Sequence, residues 1–312
     1  MRAASSLGGS TDLDRAATSE ICNRTDSLIC DHRFADRGYF VKKLLLCLGG
    51  LGFNPTEFVG LDNYIRLLTN DRLFLKLDEL PPAGAMVNTV LWIVLFTSGS
   101  LGIGMLVAVL ADRVRYEAII KAAIFLPMVI SATAASVIFR FVYSPDPTIG
   151  VLNAVLTGIF PNLEPIPWLG RISLVNYAVI GAAVWIFTGL AMIVLSAAYK
   201  SLDKEVLEAS QIDGANAWQT FWRVSVPMMA QPIAFVAVYL IITSLKMVDL
   251  VLVMTEGGPR AASRIIGFTM YWEVFNNGLV GYGSAVAIIL LILMIPIIVI
   301  QLRRVRAEQA LR

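Results

Sequence analysis

The sequence predicts an all-α membrane protein, a polytopic helical bundle with five clear transmembrane helices, a short N-terminal one and a short cytoplasmic helix–turn–helix. Two observations set the class. Of 312 residues, 57% are hydrophobic and only 15% are charged, whereas a soluble domain carries about 25% charged residues. The apolar residues are also gathered into long runs, each of a length that spans a bilayer as a helix. The same figures exclude collagen-like, disordered and disulfide-scaffold chains. The net charge of +2 gives no reason to expect a nucleic-acid partner. Cys22, Cys30 and His32 have no spacing typical of a zinc site, so no metal is expected.

Residues 1–38 are polar and lack apolar periodicity, which predicts a flexible tail. Residues 39–85 follow as a shortened first helix and an extracytoplasmic segment. The apolar run Leu44–Phe53 contains Gly49, Gly50 and Gly52 and is too short to cross fully, since a span needs roughly 17–25 residues. The transmembrane domain is expected over 86–306, with a short tail at 307–312. Its five apolar runs are Val87–Leu110, Ile119–Phe141, Leu174–Ala198, Met228–Met254 and Leu279–Leu302. A cytoplasmic C-terminus places twelve Lys and Arg residues inside, the strongest group being Arg303, Arg304 and Arg306, against seven outside. Pro145, Pro147, Pro161, Pro165 and Pro167 then fall in an ordered outer loop between the second and third runs.

The stretch 203–227 lies between the third and fourth runs, on the inner side. It is too polar to span and too patterned to be a linker. Asp203 is placed to cap a short helix, with Leu202, Val206, Leu207 and Ile212 near one face. Gly214 supplies the turn. Asn216 and Gln219 have capping-box spacing at the start of a second helix, and Pro227 suits the first turn of the next one. The pattern predicts a helix–turn–helix on the membrane face. Asp203, Glu205, Glu208 and Asp213 outweigh Lys204, so docking to a basic partner is favoured over rest on anionic lipid.

Glu208-Ala209-Ser210, three residues, Gly214, nine residues, then Val224-Ser225-Val226-Pro227 resembles the EAA loop of ABC importer permeases. Ser210 stands where that pattern has its second alanine, Val224 for isoleucine and Val226 for leucine. Further stretches resemble the sugar branch, the maltose-transporter class and its MalF-like subunit. They are Phe58–Tyr64, Asn88-Thr89, Leu126-Pro127, Gly150–Asn153, Thr255–Pro259 and Gly281–Ala285. The stretch from Phe268 to Ala285 is similar to alpha-glucoside-type members. The resemblance implies a bacterial inner-membrane, multi-pass permease subunit. Its implied partners are a second homologous permease, two ATPase subunits and an extracytoplasmic solute-binding protein, with ATP and magnesium on the ATPase. Glu208, Ala209, Ser210, Asp213, Gly214 and Pro227 become the ATPase-coupling residues.

The chain has no phosphate-binding G-x-x-x-x-G-K-[ST] loop, and its one histidine, His32, lies in the tail, so no enzymatic activity is expected on it. Polar residues within the runs are candidates for a solute path. Lys246 and Asp249 lie three apart, on one face if the fourth run is a single helix, and either pair structurally or line the path. The resemblance points to Thr243, Ser244 and Met247. Hydroxyls suit a sugar because they donate and accept, although they also bond back to their own helix. Trp185 and Thr188 offer a ring beside a hydroxyl, with packing as the alternative for the ring. Ser131 and Thr133 complete the set. The expected cargo is a sugar or glycoside of the alpha-glucoside, maltose/trehalose or glucosylglycerol kind. Alternatives are an importer for a non-sugar solute, an ion-coupled carrier using Lys246 and Asp249, and a non-conducting scaffold or sensor.

Overall fold

The computed structural model describes residues 48–49, 57–71, 73–75, 84–112 and 114–309. The tail over 1–38 and its Cys22, Cys30 and His32 lie outside these residues. So does most of the Leu44–Phe53 run, whose two described residues, Leu48–Gly49 (β1), are extended. They pair antiparallel with Glu57–Phe58 (β2). Helix α1 (Asp62–Ile65) runs into a π turn, Arg66–Asn70. The remaining helices are α2 (Ala85–Ala111), α3 (Glu117–Val129), α4 (Ala132–Val142), α5 (Val151–Ile159), α6 (Val175–Lys200), α7 (Lys204–Ile212), α8 (Ala217–Thr220), α9 (Val226–Met228), α10 (Ala230–Lys246), α11 (Asp249–Thr255), α12 (Ile266–Phe275) and α13 (Val280–Gln309), with a second π turn, Phe221–Ser225, joining α8 to α9.

Three helices, α2, α6 and α13, are long and apolar enough to span unbroken. Two further spans are bent pairs: α3 with α4, at 101°, and Ala217–Met228 with α10, at 72°. The bundle is built round α6. Asn88, Trp92, Phe96, Ser100, Gly104 and Ala108 recur every fourth residue on α2 and are all buried, the ridge that a helix presents to a neighbour. A Cβ at Gly104 would meet the Ala191 Cβ at 2.7 Å and the Met192 nitrogen at 2.9 Å, and one at Gly189 would meet the Ile124 carbonyl oxygen at 2.6 Å. Glycine therefore sets how closely α2 and α3 approach α6. A Cβ at Gly102 meets nothing within 4 Å. A second, smaller core joins Leu67 and Phe74 to Ile266, Tyr282 and Val286, seating the segment before α2 on α12 and α13.

Two sequence expectations need correction. Ile119–Phe141 is not one helix. Pro127 has no N–H to continue the ladder, the chain turns extended at Ile130 (ψ 137°), and the Ser131 hydroxyl accepts the Ala134 N–H to start α4. Met228–Met254 is also not one helix. It breaks at Met247 (ψ 82°), so Lys246 ends α10 and Asp249 opens α11, and they share no helical face. Helix α12 occupies a stretch that the sequence reading left between spans. The proline-rich loop is ordered: the Asn153 amide donates to the carbonyls of Ser144 (2.8 Å) and Ile166 (2.9 Å), and accepts the Ile166 N–H at 3.0 Å.

Candidate coupling elbow and solute path

Residues 201–229 form an elbow at one end of the bundle. Asp203 caps α7 by accepting the Glu205 N–H at 3.0 Å. Gly214, at φ +85°, reverses the chain, a conformation that costs a side-chain-bearing residue roughly 1–2 kcal/mol. The capping box then closes as its spacing foretold: Asn216 accepts the Gln219 N–H at 2.8 Å, and Gln219 accepts the Asn216 N–H at 3.0 Å. Pro227 sits in the first turn of α9. The two arms are tied by Ser210, whose hydroxyl donates to the Leu207 carbonyl (2.7 Å) and lies 3.1 Å from the buried Thr220 hydroxyl. An alanine at 210 makes neither bond.

The elbow is rooted and its tip is bare. Ser225 and Met229 are buried, and Leu202 and Phe221 pack on the main core. Glu208, Ala209, Asp213 and Gly214 are exposed, and Ile212 is 87% exposed. Uncovered acidic and apolar side chains on a rigid base are what a protein-docking surface requires. Leu202 roots α7 beside the end of α6, and Phe221 and Met229 root the second arm beside the start of α10.

Ion pairs that sequence reasoning missed hold the same end of the bundle. The Glu117 carboxylate accepts from Lys121 and, at 2.7 Å, from Lys200. Lys200 also lies 3.4 Å from Asp112, and Lys121 donates to the Ser196 hydroxyl. The i,i+4 spacing of Glu117 and Lys121 is a visible signal; the cross-helix partners are not.

At the opposite end a buried amide knot ties the loop after α11 to α2 and α6. Asn88 donates to the carbonyls of Ala262 (2.9 Å) and Arg264 (3.0 Å). Asn176 donates to the Asn88 side-chain oxygen and to Ala262, each at 2.9 Å. The Thr89 hydroxyl accepts the Ile266 N–H at 3.0 Å. Arg264 lies over the Trp272 ring and 4.0 Å from Glu273.

The candidate path residues are scattered through this frame. Thr243 bonds back to the Tyr239 carbonyl (2.8 Å), Ser244 to Ile241 (2.7 Å) and Thr188 to Val184 (2.6 Å). Their protons serve the helix, leaving the oxygens as acceptors. Ser131 is a cap, Thr133 is exposed, and Met247 is buried at the α10–α11 break. Lys246 and Asp249 are both exposed. Trp185 is 44% exposed and meets Phe139 edge-on at 5.3 Å, a ring with one face left for a neighbour. Among the described residues, no group of three His, Cys, Asp or Glu could hold a metal ion.

Comparison with known proteins agrees with this architecture. Residues 100–306 match the family described as the binding-protein-dependent transport system inner membrane component. The chain is 42% identical over 260 residues to an osmoprotective compounds uptake permease protein, GgtC, of Synechocystis sp., covering 82% of this chain and 88% of the relative. It is 34% identical over 273 residues to an alpha-glucoside transport system permease protein, AglF, of Rhizobium meliloti, covering 86% and 77%. A crystal structure of a bacterial ABC transporter involved in import of the acidic polysaccharide alginate shares the fold. One of its chains superposes with TM-score 0.70 at 18% identity, over 95% of this chain and 96% of that one.

Proposed function

This chain belongs to the binding-protein-dependent transport system inner membrane components, a family of non-enzymatic, multi-pass inner-membrane permeases of ABC importers, and we propose that its cargo is a sugar or glycoside. In this reading it forms half of a translocation path with a homologous permease. Two ATPase subunits, which carry ATP and magnesium, sit below the elbow on the cytoplasmic side, where the C-terminus also lies. A solute-binding protein delivers cargo at the opposite end. One observation carries the ATPase-coupling part of this reading: the exposed α7 arm with Glu208 at its surface, rooted through Leu202, Phe221 and Met229 in the same core that holds the spans.

The mechanism is alternating access. Closure of the ATPase pair moves α7, and the rooted elbow carries that motion to α6 and α10. The ATPase must hold the two states with different affinity, or nothing shifts. The relatives' names, an osmoprotectant permease and an alpha-glucoside permease, support a small polyhydroxylated solute. The exposed ring of Trp185 suits an apolar sugar face, and the acceptor oxygen of half-buried Thr243 suits its hydroxyls; Thr188 and Ser244 are buried within the bundle.

The test is uptake by the four-subunit complex in proteoliposomes with its binding protein and internal ATP. Accumulation of an alpha-glucoside or of glucosylglycerol, dependent on both ATP and the binding protein, is expected. Transport by the lone chain on an ion gradient would overturn the importer reading in favour of a carrier. ATP-driven uptake of a non-sugar osmolyte alone would overturn the cargo class.

A further inference from the structure

We propose that the second arm of the elbow, Ala217–Ser225, is a membrane-interface anchor whose Trp218, Trp222 and Arg223 seat in the headgroup layer, leaving α7 alone for the ATPase. The inference rests on the reading of the elbow as cytoplasmic.

Four observations carry it. The stretch Ala217–Met228 meets α10 at 72°, so with α10 near the bilayer normal the arm lies close to the membrane plane. Its outward side holds two indoles four residues apart, Trp218 at 70% and Trp222 at 51% exposure, with their ring centroids 5.6 Å apart. Phe221 backs Trp222 at 5.2 Å and packs on the core below, so the pair is held on a fixed platform. Acids are confined to the first arm: α7 and its flanks carry Asp203, Glu205, Glu208 and Asp213 against Lys204, while no acid occurs from Ala215 to Val248 and Arg223 is exposed beside Trp222.

These features fit a bilayer surface. Indoles favour the headgroup level, where the ring is half-buried and its N–H stays wet. A cation at that depth is attracted to the anionic headgroups. The acidic arm is repelled by the same surface. One arm is thus held against lipid while the other is held off it, which gives the moving ATPase a fixed fulcrum to work against. Exposed Arg115 and Tyr116, at the same end of the bundle, extend the belt of aromatic and basic residues.

The experiment uses the complete transporter in vesicles containing phosphatidylglycerol, with Cys22, Cys30 and Cys47 replaced by serine. A nitroxide is placed at position 222 (Trp222→Cys) or 208 (Glu208→Cys), and its accessibility to oxygen and to a nickel chelate is compared. The label at 222 is expected to favour oxygen several-fold, at headgroup depth, before and after the ATPase subunits are added. A label at 222 that is fully water-accessible, or becomes shielded only when the ATPase or the second permease assembles, overturns the anchor. A label at 208 indifferent to the ATPase overturns the coupling reading instead, so the two failures are distinguishable. In support, Trp222→Tyr retains solute-stimulated ATPase, and Trp218→Ser with Trp222→Ser lowers it without loss of complex assembly.

Discussion

At the scale of single residues, glycines control both the packing and the elbow, for two different physical reasons. At Gly104 and Gly189 the constraint is space, because an added methyl meets backbone atoms that cannot rotate away. Gly104→Ala is expected to cost about 1–3 kcal/mol through overpacking and to lower the melting temperature of the detergent-solubilised chain, whereas Gly102→Ala, in open space, leaves it unchanged. At Gly214 the constraint is the backbone alone, since φ is +85° and nothing lies within 4 Å. Gly214→Val is expected to cost about 1–2 kcal/mol locally and to reduce coupling between ATP hydrolysis and uptake while leaving the melting temperature of the spans nearly unaltered. The elbow residues were legible because caps and turns are local: Asp203, Gly214, Asn216 and Gln219 act within a few positions of themselves. Asn88 was visible only as part of a resemblance, because the Ala262 and Arg264 carbonyls that it satisfies lie more than 170 positions away.

At the scale of elements, the spans show where periodicity stops being informative. Apolar runs locate membrane-length segments well, and α2, α6 and α13 fall close to the predicted limits. A run's composition does not reveal a bend. Pro127 followed by Ser131 was a readable stop-and-restart signal for α3 and α4, whereas the Met247 break carries neither Pro nor Gly. There the surrounding helices decide: a Cβ at Gly267 on α12 would lie 3.0 Å from the Leu245 carbonyl oxygen, showing how closely α12 approaches the end of α10. The amide knot is the corresponding tie at the other end. Asn88→Leu strands the Arg264 carbonyl, an expected loss of about 1–3 kcal/mol, whereas Asn176→Leu leaves the Ala262 carbonyl its bond from Asn88 and is expected to cost less. Thermal unfolding should show Asn88→Leu as the more destabilised single variant and the double variant as non-additive, because only the double variant leaves the Ala262 carbonyl without either donor.

At the scale of the whole molecule, the chain is a frame tied at both ends. One end has the ion-paired ends of α2, α3 and α6 and the rooted elbow; the opposite end has the knot that fixes the loop after α11. Between them lie the two bent spans. Charge reversal at the tip, Glu208→Lys, is expected to leave folding intact and to abolish solute-stimulated ATP hydrolysis in the assembled transporter. The most direct measurement is a site-directed cross-link from position 208 (Glu208→Cys, with the three native cysteines replaced) in the intact complex, scanned with and without nucleotide. A cross-link to the nucleotide-hydrolysing subunit whose yield changes with nucleotide is expected; labelling of that cysteine by a membrane-impermeant reagent from outside intact cells, with no such cross-link, would contradict a docking role for α7.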